Sequence, residues 1–451
     1  MIAILGGGES GTGAALLAKA LGQPCFVSDF GLLSSQARQL LQEAGIPFEE
    51  GGHTIERVLQ ASVVVKSPGI PPKAPVVQAA LQAGLPVIDE LEFAYPHMQG
   101  KAICITGSNG KTTTTLLTYH LLRQAGISVG LGGNVGQSLA GQLAKGIQPD
   151  WWVLESSSFQ IDGWQSLRPR IAMYLNLSQD HMDRYGTMEA YAQAKMRIAA
   201  NQTEDDLLIY LTDAGWVERM VAEHEPKARL APFNTRFADG LAAWVNADYL
   251  HAELNGKTAS VPLQQLPLKG VHNQQNMLAA TLAALEVGIE PSAIADGLHS
   301  FVNAPHRLEP VGTVGGVAFI NDSKATNPDS VRYALEAMAQ PVIWVAGGKD
   351  KGNDYALLED LVRSHVKALV CLTKYPEPLL AAFSEIIPNI QVTESVDEAV
   401  VLAHKLSQPG DVVLLSPACA SFDLFQNYED RGNQFREAVA AFAASHRLGQ
   451  P

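Results

Sequence analysis

A glycine loop between an apolar run and a helical pattern sets the tightest limit on how this chain folds. The run Ala102–Thr106 (AICIT) is typical of a buried strand, and the loop Gly107–Thr112 (GSNGKT) follows it at once. The next stretch, TTTLLTYHLLRQAG, has apolar residues at helical spacing. In such a strand–loop–helix unit, backbone amides at the start of the helix turn towards phosphate oxygens. The sequence therefore predicts a nucleotide site in a parallel α/β sheet.

The loop also supplies the side chains that a nucleoside triphosphate needs. Lys111 can neutralise the β- and γ-phosphates, and the Thr112 hydroxyl suits Mg²⁺. The spacing departs from the common motif, because only two residues separate the two glycines of the loop. We expect nucleotide contacts from Gly107, Asn109, Gly110, Lys111, Thr112 and Thr113.

Two further polar residues follow strand-like runs in the same segment. Glu155 ends the run WWVLE, and His181 follows RIAMYLNL in the polar cluster DHMDR. Strands of one parallel sheet share a carboxyl edge, so both residues could converge with Thr112 there. A strand-end acid can also be simply solvated, and a lone histidine is more often structural. Mg²⁺ prefers oxygen ligands, which would make a neutral His181 an unusual one.

The N-terminus carries a second glycine turn. The run MIAIL leads into Gly6–Gly11 (GGGESG), and Asp29 ends the next strand-like run. This resembles the dinucleotide fingerprint, in which an acid meets a ribose hydroxyl. The same arrangement fits the diphosphate of any sugar nucleotide equally well, so NAD and a sugar nucleotide both stay open.

Strand-like runs alternate with helical stretches along three segments of the chain. This pattern predicts an α/β fold with largely parallel sheets, and 451 residues correspond to about three domains. We place the domains at residues 1–95, 96–303 and 304–451. In the third segment, the polar ends of the strand-like runs mark a further ligand edge, at Asn321–Asp322, Gly347–Lys349, Thr373 and Ser416.

Composition and charge exclude several classes of protein. The chain is 47% hydrophobic and 17% charged, which is too apolar for a disordered chain. Its formal charge of −14 disfavours nucleic-acid binding through broad phosphate contact. No apolar run is long enough to span a membrane, and MIAILGGG lacks the basic region of a signal peptide. The four cysteines have neither zinc-site nor disulfide spacing, so we expect buried thiols in a reducing cytoplasm.

Eight sequence blocks, taken in order, resemble the Mur ligase family. They are TGSNGKTTT, ESSSFQ, NLSQDHMDRY, AQAKMRI, HNQQN, HRLE, NDSKATNP and SPACASFDLFQNYEDRG. The resemblance runs from Gly6 to about Gly432, and the order of eight blocks is far more specific than any one block. It implies a Rossmann-like N-terminal domain for a UDP-sugar, a central P-loop domain for ATP and a Rossmann-like C-terminal domain for an amino acid.

The resemblance implies an ATP-dependent, ADP-forming ligase of peptidoglycan precursor synthesis. Members of the family phosphorylate a substrate carboxylate, and the amine of an incoming amino acid then attacks the acyl phosphate. The last two blocks are similar to members that join D-glutamate to UDP-N-acetylmuramoyl-L-alanine. The implied partners are these substrates, ATP and two Mg²⁺ ions. The implied enzyme is a cytoplasmic monomer that binds no nucleic acid and does not insert into a membrane.

The resemblance also implies roles for individual residues. The implied metal ligands are Thr112, Glu155, His181 and Lys195, and the implied catalytic residues are Lys111, His181 and Lys195. Lys195 matches a lysine that is carbamylated in this family, although its position alone suggests an ordinary surface lysine of a helix. Further ATP contacts fall on Asn273, Arg307, Asp322 and Lys324.

Two substrate sites complete the set implied by the resemblance. Residues matched to the UDP-substrate are Gly8, Glu9, Ser10, Gly11, Asp29, Ser67, Asn134 and His181. Residues matched to D-glutamate are Thr326, Lys351, Ser421, Phe422 and Tyr428. Phe30 is a departure, because a hydroxyl residue often follows the acid in this family.

Three alternatives remain at this point. The first is another Mur-type or folylpolyglutamate-type ligase, although the third domain shows no Arg-bearing motif for a diamino acid. The second is a NAD-dependent oxidoreductase built on GGGESG and Asp29, which leaves the P-loop unexplained. The third is a P-loop switch without catalysis, which amino-acid-dependent ATP hydrolysis would exclude.

Overall fold

The computed structural model describes residues 1–213 and 215–448, and these contain three largely parallel sheets flanked by helices. The chain divides into two compact units, Met1–Pro267 with Gln274–Phe301, and Leu268–Asn273 with Val302 onward. The first unit contains two of the sheets and the second contains one. The α/β class and the three successive sheets are confirmed. The three domain limits stay a prediction, and the last three residues of the third domain lie outside the described residues.

The first sheet is parallel, with strand order β3-β2-β1-β4-β5. The strand order reverses between β1 and β4, where the loops after these two strands form the edge that binds ligands in such folds. The strands are β1 Ile2–Leu5, β2 Cys25–Ser28, β3 Phe48–Glu49, β4 Val63–Lys66 and β5 Val87–Ile88. The helices are α1 Glu9–Ala20, α2 Ser35–Glu43, α3 Ile55–Val58, α4 Pro75–Gln82 and α5 Glu90–Ala94.

The second sheet has the order β14-β13-β12-β11-β10-β9-β6-β8-β7. Because β6 lies between β8 and β9, the glycine loop stands beside the ends of both neighbours. The strands are β6 Lys101–Thr106, β7 Val129–Gly133, β8 Trp151–Glu155, β9 Ile171–Tyr174, β10 Leu207–Leu211, β11 Arg229–Phe233, β12 Ala243–Val245, β13 Tyr249–Leu254 and β14 Lys257–Pro262. The helices are α6 Lys111–Gln124, α7 Leu139–Ala144, α8 Ser158–Ile161, α9 Met182–Tyr185, α10 Met188–Met196, α11 Trp216–His224, α12 Val271–Val287 and α13 Pro291–Ser300.

The third sheet has the order β15-β16-β20-β17-β18-β19, and only β15 runs antiparallel to its neighbour. The predicted strand-like runs that lead to Asn321, Gly347, Thr373 and Ser416 form β16, β17, β18 and β20. The strands are β15 Glu309–Val314, β16 Val317–Asn321, β17 Val342–Ala346, β18 Val366–Leu372, β19 Ile390–Thr393 and β20 Val412–Leu415. The helices are α14 Pro328–Glu336, α15 Glu359–His365, α16 Glu377–Phe383, α17 Val396–Leu406 and α18 Tyr428–Leu448.

Burial follows the apolar runs of the sequence. The strands β1, β2, β9, β17 and β20 are buried along their whole length, as expected for sheets covered on both faces. All four cysteines are free and buried, in agreement with the sequence. Within the described ranges, no helix combines the length and the apolar character needed to cross a bilayer. Short 3₁₀ turns occur at Tyr95–His97, Arg197–Ala199, Leu263–Gln265 and Ala356–Leu358.

Candidate active site

The glycine loop after β6 has the geometry of a phosphate cradle. Gly110 takes the N-cap position of α6 with φ at +78°, and a Cβ there would lie 2.3 Å from Asn276 Oδ1. Gly107 has φ at +158° and packs against Leu175. Lys111 begins α6, and its Nζ donates to the carbonyl oxygens of Gly107 at 2.8 Å and Ser108 at 2.7 Å. Phosphate oxygens would offer this ammonium stronger, charged acceptors in the same loop.

The segment after β9 supports the glycine loop, and sequence reasoning missed this role. The Asn176 side chain accepts from the backbone N of Asn109 at 2.9 Å and donates to its carbonyl oxygen at 3.0 Å. The backbone N of Ser178 donates to Ser108 Oγ at 3.0 Å. The polar run NLSQ directly after a buried strand was the available signal. Thr112 and the buried Thr113 follow in the first turn of α6.

Lys195 is buried, so the surface position that its helix alone suggested is wrong. The side chain lies in α10 with 1% of the residue exposed. Its Nζ donates to the carbonyl oxygen of Gly107 at 2.9 Å and to Thr106 Oγ1 at 3.5 Å. Burial first, and then repulsion by Lys111, hold the pKa of Lys195 well below its ordinary value. The structure thus brings an amine of lowered pKa to the phosphate loop.

Glu155 and Asn134 form one pair, although the sequence predicted separate roles for them. Asn134 Nδ2 donates to Glu155 Oε1 at 2.8 Å, and the Asn134 amide donates to the Glu155 carbonyl oxygen at 2.9 Å. Glu155 is 2% exposed, and its Oε2 has no hydrogen-bond partner among the described residues. A buried carboxylate oxygen left open in this way fits a bound cation.

His181 stands at the start of α9 in a left-handed conformation, with φ at +57°. Its ring lies 4.7 Å from that of Phe159, and its Nε2 is 3.4 Å from Asp180 Oδ2. Strain of this kind in a non-glycine residue is concentrated at functional loops. In the described part of the chain, no three His, Cys, Asp or Glu side chains group into a metal site. A cation here would therefore also need hydroxyl, phosphate or water oxygens.

The N-terminal glycine turn is closely packed and anchored by Asp29. A Cβ on Gly11 would lie 1.8 Å from the Gly6 carbonyl oxygen, so only glycine fits there. Asp29 Oδ2 accepts from the Gly7 amide at 2.6 Å, and Oδ1 accepts from Gly31 at 2.8 Å. Ser67, after β4, lies across the turn with its Oγ 3.5 Å from the Gly6 carbonyl oxygen. The binding role of Asp29 stays a prediction.

A cavity of about 480 Å³ extends from the start of α1 towards α7. Gly8 and Glu9 line one side, and Gln137 and Ser138 line the other. Glu9 Oε1 accepts from the Ser138 amide at 3.1 Å, which links the two sheets of the first unit. Ser10 and Gly11 occupy the first turn of α1 beside this cavity. The structure therefore brings this part of the predicted UDP-substrate set close to the segment that follows Asn134.

In the second unit, the residues predicted to bind D-glutamate follow three adjacent strands. Thr326 comes after β16, Lys351 after β17 and Ser421 after β20, and these strands are neighbours in the sheet. Ser421 is buried, Thr326 is half-buried and Lys351 is exposed. Phe422 is 68% exposed beside this edge. Tyr428 begins α18, and its ring lies 3.7 Å from Lys324 Nζ.

The residues predicted to reach ATP from the second unit occupy strained or buried positions. Arg307 lies between two residues with left-handed backbone, His306 and Leu308, at φ of +65° and +46°. Asp322 accepts from the Leu308 amide at 3.2 Å and from Ser416 Oγ at 2.9 Å. Burial raises the pKa of Asp322 to about 7. Asn273, in α12, is buried and donates to the Lys269 carbonyl oxygen at 2.8 Å.

The fold and the glycine loop together define a three-sheet α/β protein with a phosphate-binding loop. Three family models match it in order: MurD N-terminal domain over residues 1–76, Mur ligase middle domain over 105–284, and Mur ligase, glutamate ligase domain over 306–419. The chain belongs to the Mur ligase family.

Curated relatives match almost the whole chain. One from Porphyromonas gingivalis, named UDP-N-acetylmuramoylalanine--D-glutamate ligase, is 48% identical over 441 residues, covering 97% of this chain and 98% of its own. Another of that name, from Cytophaga hutchinsonii, is 46% identical over 447 residues, covering 98% and 99%.

Solved structures share the fold at low identity. MurF from Acinetobacter baumannii gives a TM-score of 0.63 at 17% identity, covering 93% of this chain and 90% of its own. UDP-N-acetylmuramate-alanine ligase MurC from Thermotoga maritima gives a TM-score of 0.62 at 18% identity, and the match covers 98% of this chain and 99% of the MurC chain.

Proposed function

We propose that this chain is the ATP-dependent ligase that joins UDP-N-acetylmuramoyl-L-alanine to D-glutamate in peptidoglycan precursor synthesis. The near full-length similarity to curated relatives of that name supports the choice of substrates. One observation supports the chemistry. The phosphate loop Gly107–Lys111, the amine of Lys195 and the unpartnered oxygen of Glu155 all lie near the ends of adjoining strands. We further propose that the enzyme is cytoplasmic. Its three predicted domains would bind the UDP-substrate, ATP and D-glutamate, in that order.

The chain's own residues supply anion binding and orientation. A carboxylate is a poor electrophile, and transfer of the ATP γ-phosphoryl group to one of its oxygens creates a leaving group. The loop amides and Lys111 hold the triphosphate and balance its charge. The D-glutamate amine then forms a bond to the acyl carbon, loses a proton, and phosphate departs with the carboxylate oxygen. Holding both reactants close together in the reactive orientation supplies much of the rate acceleration.

Magnesium fits the residues around the loop. When bound, Mg²⁺ neutralises phosphate charge and orients the transferred group. Thr112 and Glu155 would hold it through oxygen, and His181 is the third residue proposed. Asn134 fixes one oxygen of Glu155 and leaves the other without a partner, so that it could bind the cation.

Carbamylation of Lys195 belongs to the same proposal. A neutral amine adds to CO₂ to form a carbamate and releases one proton, whereas an ammonium does not react. Burial and the proximity of Lys111 lower the pKa of Lys195, which favours the neutral, reactive form of the amine. The product would convert a buried amine into an anion next to the phosphate loop and would add two oxygens to a site that has few oxygen ligands.

Amino-acid selection is assigned to the edge formed after β16, β17 and β20. D-glutamate carries two carboxylates, which need separate donors at a fixed distance. Lys351 can supply a charge from the loop after β17, and Ser421 can supply a hydroxyl and an amide after β20. Thr326 completes the donor set, and Phe422 and Tyr428 bound the pocket. The wrong enantiomer could not satisfy both clusters and still present its amine.

Phosphate release measured with UDP-N-acetylmuramoyl-L-alanine, ATP and a panel of amino acids tests the proposal. We expect release only when both substrates are present, with D-glutamate preferred over L-glutamate and D-aspartate. Release driven best by a diamino acid would favour another Mur-type ligase. ATP hydrolysis that does not depend on an amino acid would favour a P-loop switch.

A further inference from the structure

Arg431 is a buried arginine in the second unit that makes four hydrogen bonds. It lies in the first turns of α18 with 1% of the residue exposed. Its Nε donates to Ser323 Oγ at 3.0 Å, and NH2 donates to the Ser323 carbonyl oxygen at 2.9 Å. Its NH1 donates to the carbonyl oxygens of Gly347 and Cys419, each at 3.2 Å. All four acceptors are neutral.

No carboxylate in the described part of the chain forms an ion pair with this guanidinium. Asp423 attracts Arg431 electrostatically but makes no hydrogen bond to it. Its Oδ2 accepts from Thr373 Oγ1 at 2.7 Å and from the Lys374 amide at 3.2 Å, and its buried Oδ1 has no hydrogen-bond partner among the described residues. Burial lowers the pKa of Arg431 to about 10, so the group stays protonated at neutral pH. A buried charge without a counter-ion is costly unless a ligand brings one.

The acceptors stand at the base of three loops that meet at one sheet edge. Ser323 precedes Thr326 in the loop after β16, and Gly347 precedes Lys351 in the loop after β17. Cys419 precedes Ser421 in the loop after β20.

The same three loops are also bound directly to one another. The Ala418 amide donates to the Ala325 carbonyl oxygen at 2.9 Å, and the Lys349 amide donates to Ala420 at 2.7 Å. One side chain therefore sets the relative position of three loops that each carry a proposed D-glutamate ligand.

We propose that Arg431 is the positioning residue of the amino-acid site, which it serves by fixing these three loops and by offering an unpaired positive charge to a dicarboxylate. The inference rests on the proposed function and deepens it. If Arg431 only held the loops together, neutral donors would be enough, because every acceptor is a carbonyl or a hydroxyl oxygen. Two substrate carboxylates close to this edge would supply the ion pair that the described protein residues do not form with Arg431.

Two substitutions separate the hydrogen-bonding role of Arg431 from the role of its charge. Arg431→Lys keeps the positive charge but loses most of the hydrogen bonds, whereas Arg431→Gln loses both. We expect the KM for D-glutamate to rise by about tenfold or more in Arg431→Gln and by less in Arg431→Lys. The KM for the UDP-substrate should stay within about twofold of wild type, because none of its predicted residues lies in these loops. The KM for ATP should rise less than that for D-glutamate, because only the loop after β16 carries predicted ATP contacts, Asp322 and Lys324. The matched control is Arg436→Gln, at an arginine of the same helix whose side chain is 41% exposed, and it should leave all three KM values unchanged.

Three results would overturn the proposal. One is a fall in kcat with an unchanged KM for D-glutamate, and another is an equal rise in the KM for ATP. The third is loss of the folded protein, judged by thermal melting, in both Arg431 variants, because that would assign the residue to the stability of the domain. A wild-type protein that releases no phosphate with D-glutamate contradicts the proposed function instead, so the two failures are distinguishable.

Discussion

Lys111 and Lys195 donate to the same acceptor, the carbonyl oxygen of Gly107, at 2.8 Å and 2.9 Å. Two ammonium groups at one carbonyl oxygen would repel each other strongly away from water. Lys111 begins a helix at the loop, whereas Lys195 is enclosed, and burial together with repulsion by Lys111 lowers the pKa of Lys195. This relationship supports the proposed reactivity of Lys195 towards CO₂.

The first prediction concerns the modification of Lys195. Enzyme equilibrated with ¹³C-bicarbonate should show one carbamate carbon in its NMR spectrum, and Lys195→Ala should lose that signal. The variant should be nearly inactive and partly recovered by short carboxylates, because a small anion can replace the missing oxygens. Lys227→Ala, at an exposed position, is the control and should keep both signal and activity. Full activity of wild type after removal of CO₂ would contradict this prediction.

The second prediction concerns magnesium and Glu155. Glu155→Gln keeps the size of the side chain but removes the charge that faces the open position. The Mg²⁺ concentration for half-maximal activity should therefore rise, by about tenfold or more, at saturating ATP. Exposed Glu189, at the start of α10, provides the control substitution Glu189→Gln. An unchanged Mg²⁺ titration in Glu155→Gln would remove this residue from the metal site.

The third prediction concerns Lys351. Its replacement by Ala should raise the KM for D-glutamate strongly, by about tenfold or more, since a charge-assisted hydrogen bond to a carboxylate is lost. The KM for ATP should change much less. Exposed Lys374, in the loop after β18, gives the matched variant Lys374→Ala with an expected KM near wild type. Steady-state kinetics with both substrates varied decide the matter, and an unaltered KM for D-glutamate in Lys351→Ala would place this carboxylate site elsewhere.

The fourth prediction concerns pH and stability in the first unit. Asp89 caps α5 by accepting from the Glu92 amide at 2.9 Å, and burial raises its pKa to about 8. An unfolded aspartate loses its proton near pH ~3.9, so between that pH and about 8 the folded state holds the extra proton. The free energy of unfolding should therefore fall as pH rises through this window, by up to about 1.4 kcal/mol per pH unit for this group.

Asp89→Asn should flatten that dependence, because the amide keeps the capping oxygen and cannot ionise. Denaturant unfolding at pH 5 and pH 8 measures the difference in each protein. Exposed Asp150→Asn is the control and should retain the wild-type slope. An identical pH dependence in wild type and Asp89→Asn would show that Asp89 does not hold a proton in the folded state.

Much of the fold could be predicted because its buried parallel strands are continuous apolar runs. The glycine turns after β1 and β6 were equally visible, since close backbone approach permits only glycine at Gly11. The antiparallel strands β13 and β14 were missed. They alternate buried and exposed residues, as in YLHAEL, and a search for unbroken apolar runs passes over this pattern.

Candidate site residues were harder to predict where elements distant in the sequence bury them. Lys195 and Arg431 lie in polar helical stretches that look exposed, and only the packing of other elements encloses them. The pairing of Asn134 with Glu155 depends on the register of β7 and β8, which their sequences do not specify. The order of the motifs predicted where the substrates bind, whereas the burial and the supporting hydrogen bonds of these residues required the structure.

Transfer of an isotopic label from the substrate carboxylate to phosphate tests the central claim most directly. UDP-N-acetylmuramoyl-L-alanine with ¹⁸O in its terminal carboxylate is incubated with ATP, Mg²⁺, D-glutamate and the enzyme, and the released phosphate is analysed by mass spectrometry. Activation through an acyl phosphate predicts one ¹⁸O in each phosphate, with no phosphate formed by Lys111→Ala. Unlabelled phosphate from wild-type enzyme, released in step with amide formation, would contradict it.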